Sequence, residues 1–213
     1  MEVELQFVYH GGTPLIVPTS LADLELRRSA TRTLLDTYFD TEALDLRQAG
    51  CSLRVRQADD WPRPRLTFKG PSRKRAGAKR RHETEIKIGS LPAGNDEILA
   101  VLREKGLETA VRKFAAFEFD SELHPIGQLR NRRSEHRYAH GLHRLELTWD
   151  ELEFPTGSPQ IRLEIEARSE CAERLLQKAE AEVMELFGKD LSPPELGKMR
   201  ELCERLYPEL LAA

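Results

Sequence analysis

The sequence predicts an α+β protein: an eight-stranded antiparallel β-barrel closed into a tunnel, with helices packed outside. Three observations lead there. Segments with strict two-residue alternation recur along the chain, joined mostly by short turns, which favours an antiparallel meander over βαβ units. The polar faces of these segments are nearly all fixed charge, not the Ser, Thr, Lys and Gln mixture of a solvated sheet. Amphipathic helical stretches supply cover for the opposite, apolar faces.

In chain order, MEVELQF opens with Glu2, Glu4 and Gln6 on one side and Val3, Leu5 and Phe7 on the other. Ser20 reads as the N-cap of a short helix, LADLELRR. Tyr38 and Phe39 mark a second strand, SLRVR (52–56) a third and RLTFKG (65–70) a fourth. RHETEIKI (81–88) places Arg81, Glu83, Glu85 and Lys87 together on a fifth. Asn95 reads as the cap of DEILAVLREKG, which Gly106 ends. QLRNRRSEHRY (128–138), HRLELTWDELEF (143–154) and IRLEIEAR (161–168) complete the strands. A helix over 170–187 carries Leu175, Leu176, Ala179, Val183, Leu186 and Phe187 on one stripe, and a last helix follows Pro193–Pro194 over 195–207. No linker divides the chain, so residues 1–213 are expected to form one domain.

Composition narrows the function classes. A net charge of −3 gives no global field toward nucleic acid or membrane, and neither is expected as a partner. The average hides a basic segment, however. Between Arg54 and Arg81 there are eleven Lys and Arg against two acids, with RKRAGAKRR expected as a mobile loop. Cys51, Cys171 and Cys203 make neither a disulfide framework nor a zinc pattern, which is consistent with reduced thiols in a cytoplasmic protein. No apolar stretch approaches the roughly 20 residues of a membrane span. The chain enters an acidic strand directly, so no signal peptide is expected. His136, His140 and His143 flank a hairpin turn at Gly141 and do not share one helix face, so a metal cluster is not expected there. Trp61 reads as a loop anchor and Trp149 as core. The exposed side of the 170–187 helix would allow a homodimer.

With helices outside, the charged faces must line the barrel interior. Burying so many charges unpaired would cost many kcal/mol, so the interior must be wet and hold compensating ions. Strands near the chain ends bring Glu2, Glu4, Glu164 and Glu166; those in the middle bring Arg54, Arg56, Lys69, Arg130 and Arg132. Carboxylates facing guanidinium and ammonium groups suit a magnesium-bound polyphosphate. Mg²⁺ takes a few carboxylate oxygens, waters and phosphate oxygens, while Arg grips phosphate oxygens in pairs.

These motifs, in this order, resemble the CYTH superfamily of triphosphate tunnel metalloenzymes. That superfamily includes inorganic triphosphatases, thiamine triphosphatases and class IV adenylate cyclases. The resemblance is carried by Glu2-Val3-Glu4-Leu5-Gln6, similar to the family's N-terminal E-x-E-x-K, and by TYFDTEALDLRQAGCSLRVR (37–56). LTFKG, the R-x-E of Arg81 and Glu83, the basic strand at 130–133, Glu146 with Asp150, the E-x-E of Glu164 and Glu166, and Lys198 follow. It implies chemistry on a triphosphate that depends on Mg²⁺ or Mn²⁺. Glu2, Glu4, Glu83, Glu146, Asp150, Glu164 and Glu166 would be metal-side carboxylates. Arg54, Arg56, Lys69, Arg130, Arg132, Arg133 and Lys198 would bind phosphates, and Glu2, Glu4 and Lys69 would take part in catalysis. The family's lysine is Gln6 here, which hydrogen-bonds without bringing charge. A neighbouring arginine or Lys69 is the candidate to compensate.

The expected activity is hydrolysis of a triphosphate, inorganic tripolyphosphate first, since no base-reading motif accompanies the charged interior. The alternatives are conversion of ATP to cyclic AMP and non-catalytic binding of polyphosphate, with Gln6 marking lost activity. A lipocalin-like carrier of an apolar ligand is opposed by the charged interior.

Overall fold

The computed structural model describes residues 2–75, 78–109, 111, 122–167 and 172–211. Twelve strand segments form one sheet. Eight stations round its wall are made by β1 (Glu2–Tyr9), β3 (Leu24–Asp40), β4 (Ser52–Ala58), β5 (Arg65–Lys69), the pair β7 (Ala78–Arg81) and β8 (Glu83–Lys87), β9 (His124–His140), β10 (His143–Glu153) and β11 (Gln160–Ala167). Their order is β7-β1-β11-β10-β9-β3-β4-β5-β8, with every pairing antiparallel. Only His82 separates β7, which pairs with β1, from β8, which pairs with β5. One interrupted strand therefore joins the two edges of the sheet and closes the barrel. Short segments β2 (Ser20–Leu21), β6 (Arg73–Arg75) and β12 (Leu191–Ser192) add to β3, β7 and β1. RHETEIKI is thus split between two partners. Part of the basic run expected as a loop is the β6–β7 hairpin, whose residues 76 and 77 lie outside the described residues.

The largest correction concerns residues 20–28. They form no helix. β2 turns at Ala22 and Asp23, both at positive φ (50° and 61°), into the 17-residue β3, which pairs with β9 from Glu25 to Asp40. Leu21 and Leu24, three apart, mimic a helical stripe, but both point into the same core from either side of a hairpin turn. Ladder hydrogen bonds along a long neighbour override local helix preference.

The α-helices among the described residues include α1 (Asp45–Gln48), α2 (Asn95–Glu104), α3 (Ala172–Phe187) and α4 (Lys198–Leu206). Gly94 takes the N-cap position of α2; the Asn95 side chain instead accepts from the Leu123 backbone N–H at 2.8 Å. The expected start of α3 at 170, with Cys171, lies outside the described residues.

The barrel's outer faces bury against helices. Leu176, Ala179, Val183 and Phe187 of α3 cover Leu5, Phe7, Leu147, Trp149, Leu163 and Ile165, with Trp149 edge-on to Phe187 at 5.3 Å. Ile98, Leu99 and Leu102 of α2 cover Leu53, Val55, Leu66 and Phe68. α4 departs from the expectation that helices pack only outside. Its Met199, Leu202 and Cys203 meet Tyr38, Leu129 and Leu152, which share strand parity with the inward-facing Asp36, Arg133 and Asp150. Gly127 permits this approach, since a Cβ there would lie 2.7 Å from Leu206. No described helix is long and apolar enough to cross a membrane.

Candidate active site

Alternation sends the even residues of β1, β4, β10 and β11 and the odd residues of β5, β8 and β9 toward the barrel axis. There they line a cavity of about 340 Å³. One wall is acidic. Cross-strand register sets Glu4 beside Glu166 and Glu166 beside Glu146, a row of three carboxylates over β1, β11 and β10. The next row is Gln6, Glu164 and Thr148. Glu2 is on the same face of β1, opposite Arg81, but its side chain is outside the described residues.

The facing wall is basic, and its groups are held by buried acids. Asp36 is fully buried; it accepts from Arg56 Nε and Nη2 at 2.5 and 2.6 Å and from Arg54 Nη1 at 3.2 Å. Burial opposes the charge on Asp36, but Arg56 and Arg54 outweigh it and hold the carboxyl well below the usual range. Asp150, also fully buried, takes Arg133 Nε and Nη2 at 2.6 Å each and the Lys198 ammonium. Glu164 bonds Arg133 at 3.0 Å and Lys198 at 2.9 Å. Burial would raise the Glu164 carboxyl, yet Lys198 and Arg133 bring it down to about 2. Elsewhere on the lining, Lys69 sits 3.3 Å from Glu83 and Arg81 sits 2.7 Å from Glu4.

The structure gathers Glu4, Glu83, Glu146, Glu164, Glu166, Arg54, Arg56, Lys69, Arg133 and Lys198 around this cavity. Asp150 stands behind the lining with both oxygens engaged. Arg130 and Arg132 do not belong to the cavity. They point outward, with side chains 64% and 60% exposed, toward Glu153 and Glu151. Arg133 has the inward parity, and two adjacent arginines cannot both face inside one strand.

Sequence reasoning missed Asp36, Lys79, Arg81 and Arg162. Arg81 enters the sequence motifs only as part of R-x-E. Lys79, two residues earlier, shares its parity, and that signal was available. Arg162 is buried beside Glu164 on β11 and bonds the Leu196 carbonyl at 3.1 Å and Glu201 of α4. It ties the helix that delivers Lys198 to the barrel. Trp61 is a loop anchor, with the Arg65 guanidinium 3.7 Å above its ring. His136 faces outward to Ser29 at 2.9 Å, and His140 pairs with His143 across the hairpin.

Among the described residues, no three His, Cys, Asp or Glu side chains are drawn closely enough together to hold an ion by themselves. The donor set still fits Mg²⁺ or Mn²⁺. These hard ions take one or two carboxylates and complete their shell with water and substrate phosphate, and the acidic wall offers only such oxygen donors.

A closed antiparallel barrel with a charged interior, acidic on one side and basic on the other, defines a class of β tunnels. Residues 1–192 match the CYTH domain, and the chain belongs to that family. A Hippeastrum protein with a dominant triphosphatase activity shares the fold, with a TM-score of 0.68, 20% identity and 95% of each chain covered. A Bacillus halodurans protein aligns with a TM-score of 0.54 and 20% identity over 80% of this chain and 82% of its own. A Pyrococcus horikoshii protein aligns with a TM-score of 0.53 and 17% identity over 94% and 98%. No curated protein sequence matches the chain.

Proposed function

We propose that this chain hydrolyses a linear triphosphate, inorganic tripolyphosphate, with a divalent metal ion bound in the barrel. The observation that carries the reading is the two-sided cavity, with Glu4, Glu146, Glu164 and Glu166 along one wall and Arg54, Arg56, Lys69, Arg133 and Lys198 around the rest. About 340 Å³ is near the lower end of ligand pockets, and Tyr38 is the one aromatic among the described lining residues. Both features favour a compact polyanion over a nucleotide with its base.

One or two carboxylates of the row Glu4, Glu166 and Glu146, or Glu2 from the same face, would hold Mg²⁺ or Mn²⁺ together with water and substrate phosphate, and the ion would supply charge neutralisation at the terminal group. Arg54 and Arg56 are fixed by Asp36 before substrate arrives, so their remaining N–H groups need little reorganisation to grip phosphate oxygens. Arg133 and Lys198, oriented by Asp150, face the charge that moves onto the leaving phosphate. Lys69 adds a point charge from β5. A carboxylate of β1, Glu4 or Glu2, accepts the proton of the attacking water.

The test is phosphate release from tripolyphosphate, ATP and thiamine triphosphate with Mg²⁺, Mn²⁺ or EDTA, and a cyclic AMP assay on the ATP sample. Metal-dependent, EDTA-sensitive release, fastest from tripolyphosphate, is expected. Cyclic AMP with pyrophosphate as the main products would replace the hydrolase with a cyclase. Tight binding without turnover would leave a polyphosphate-binding module.

A further inference from the structure

Position 6 is neutral, yet a cation stands at it. β7 lies antiparallel to β1 with Lys79 opposite Glu4, and the Lys79 ammonium donates to the Gln6 side-chain oxygen at 2.6 Å. The Gln6 amide nitrogen donates onward to Glu164 Oε1 at 3.0 Å. Gln6 is therefore a neutral bridge between a lysine of one neighbouring strand and a carboxylate of the other, and all three side chains line the cavity.

We infer that Lys79 supplies from β7 the positive charge that β1 lacks at position 6, and that its ammonium contacts a phosphate oxygen of the bound substrate. The inference rests on the triphosphate reading and adds to it a residue that the strand motifs do not mark. Its first support is the nature of the partner. Lys69 faces Glu83, and Lys198 faces Asp150 and Glu164. Among the described residues, the Lys79 ammonium instead bonds a neutral amide oxygen. A phosphate oxygen is a stronger partner for a half-buried ammonium than an amide oxygen is, so substrate can displace Gln6 at a net gain. Location is the second support. Lys79 emerges beside the acidic row of β1 and β11, the wall that would hold the metal, whereas Lys69 is engaged across β5 and β8. A cation there neutralises the same end of the polyanion that the metal orients.

A charge-relocation series tests this. Wild type, Lys79→Gln and the double variant Gln6→Lys/Lys79→Gln are compared for tripolyphosphate kcat/KM with Mg²⁺ and for metal-free tripolyphosphate affinity by calorimetry in EDTA. Urea midpoints check folding. Lys79→Gln is expected to lose about 10–100-fold in kcat/KM and to weaken metal-free binding, as removal of one charged phosphate contact does. The double variant, with the charge returned to β1, is expected to recover most of both. Unchanged kcat/KM and affinity in a folded Lys79→Gln overturn the inference. So does a folded double variant that recovers neither, because the role would then belong to Lys79 as a packing group and not to a charge at this place. Failure of the hydrolase reading looks different. A wild type that binds tripolyphosphate without turnover removes catalysis but leaves the affinity comparison to decide on Lys79, and a wild type that neither binds nor hydrolyses it overturns both.

Discussion

Asp36 shows how single residues organise this interior. It is fully buried and answers two guanidinium groups at once. Removing one member of such a group leaves the others buried without compensation, at about 3–5 kcal/mol. Asp36→Asn is expected to lower the unfolding free energy read from urea titration by an amount in that range, with a lower midpoint, and to weaken tripolyphosphate binding, because Arg54 and Arg56 lose their fixed orientation. An unshifted midpoint would show that water already screens the cluster. Titration gives a second test. The folded Glu164 carboxyl sits at about 2, below its ordinary 4.5, and Asp36 and Asp150 are held down as well. A depressed acid contributes stability that is complete above its unfolded pKa and lost as pH falls toward the folded value. Through these carboxylates stability is therefore expected to fall steeply between about pH 4.5 and 2, as urea midpoints across that range would reveal.

Among the elements, α4 has the most consequence for its size. It packs Leu202 and Leu206 over Gly127 of β9 and carries Lys198, at its first residue, to Asp150 and Glu164. Gly127→Val would push a side chain into space that Leu206 and Leu202 occupy. The expected cost is about 1–3 kcal/mol of stability from overpacking, with a fall in phosphate release as Lys198 is displaced. Normal activity in that variant would mean that α4 shifts without moving Lys198. The β7–β8 strand is the other decisive element. Its break at His82 lets one segment pair with β1 and the next with β5. Arg81 and Lys79 thereby enter the acidic wall while Glu83 meets Lys69.

The barrel as a whole behaves as a container for charge. Its outer faces are buried by α2 and α3, and its inner faces are ion pairs around open space. A ligand that binds only the folded chain stabilises it by mass action. Tripolyphosphate with Mg²⁺ at a hundredfold excess over Kd is expected to add about 2.7 kcal/mol, a rise of several degrees in Tm that EDTA diminishes. A Tm indifferent to tripolyphosphate would count against a polyanion in the cavity.

Much of this design is written in the sequence. Two-residue alternation fixes which side chains share a face, and that is a property of the extended backbone alone. Glu4, Glu164 and Glu166, and Arg54 with Arg56, could therefore be assigned to one face from their spacing. Most of the apolar stripe of α3 was legible from the 3.6-residue helical period, although Leu186, expected on it, is exposed. Pairing was not, because alternation says nothing about which strand lies beside which. Only the closed barrel decided that Leu21 and Leu24 belong to a hairpin, that Arg133 and not Arg130 or Arg132 faces inward, and that Lys79 stands at Gln6. In each case contacts between residues far apart in the chain, ladder hydrogen bonds and buried ion pairs, outweighed the local pattern.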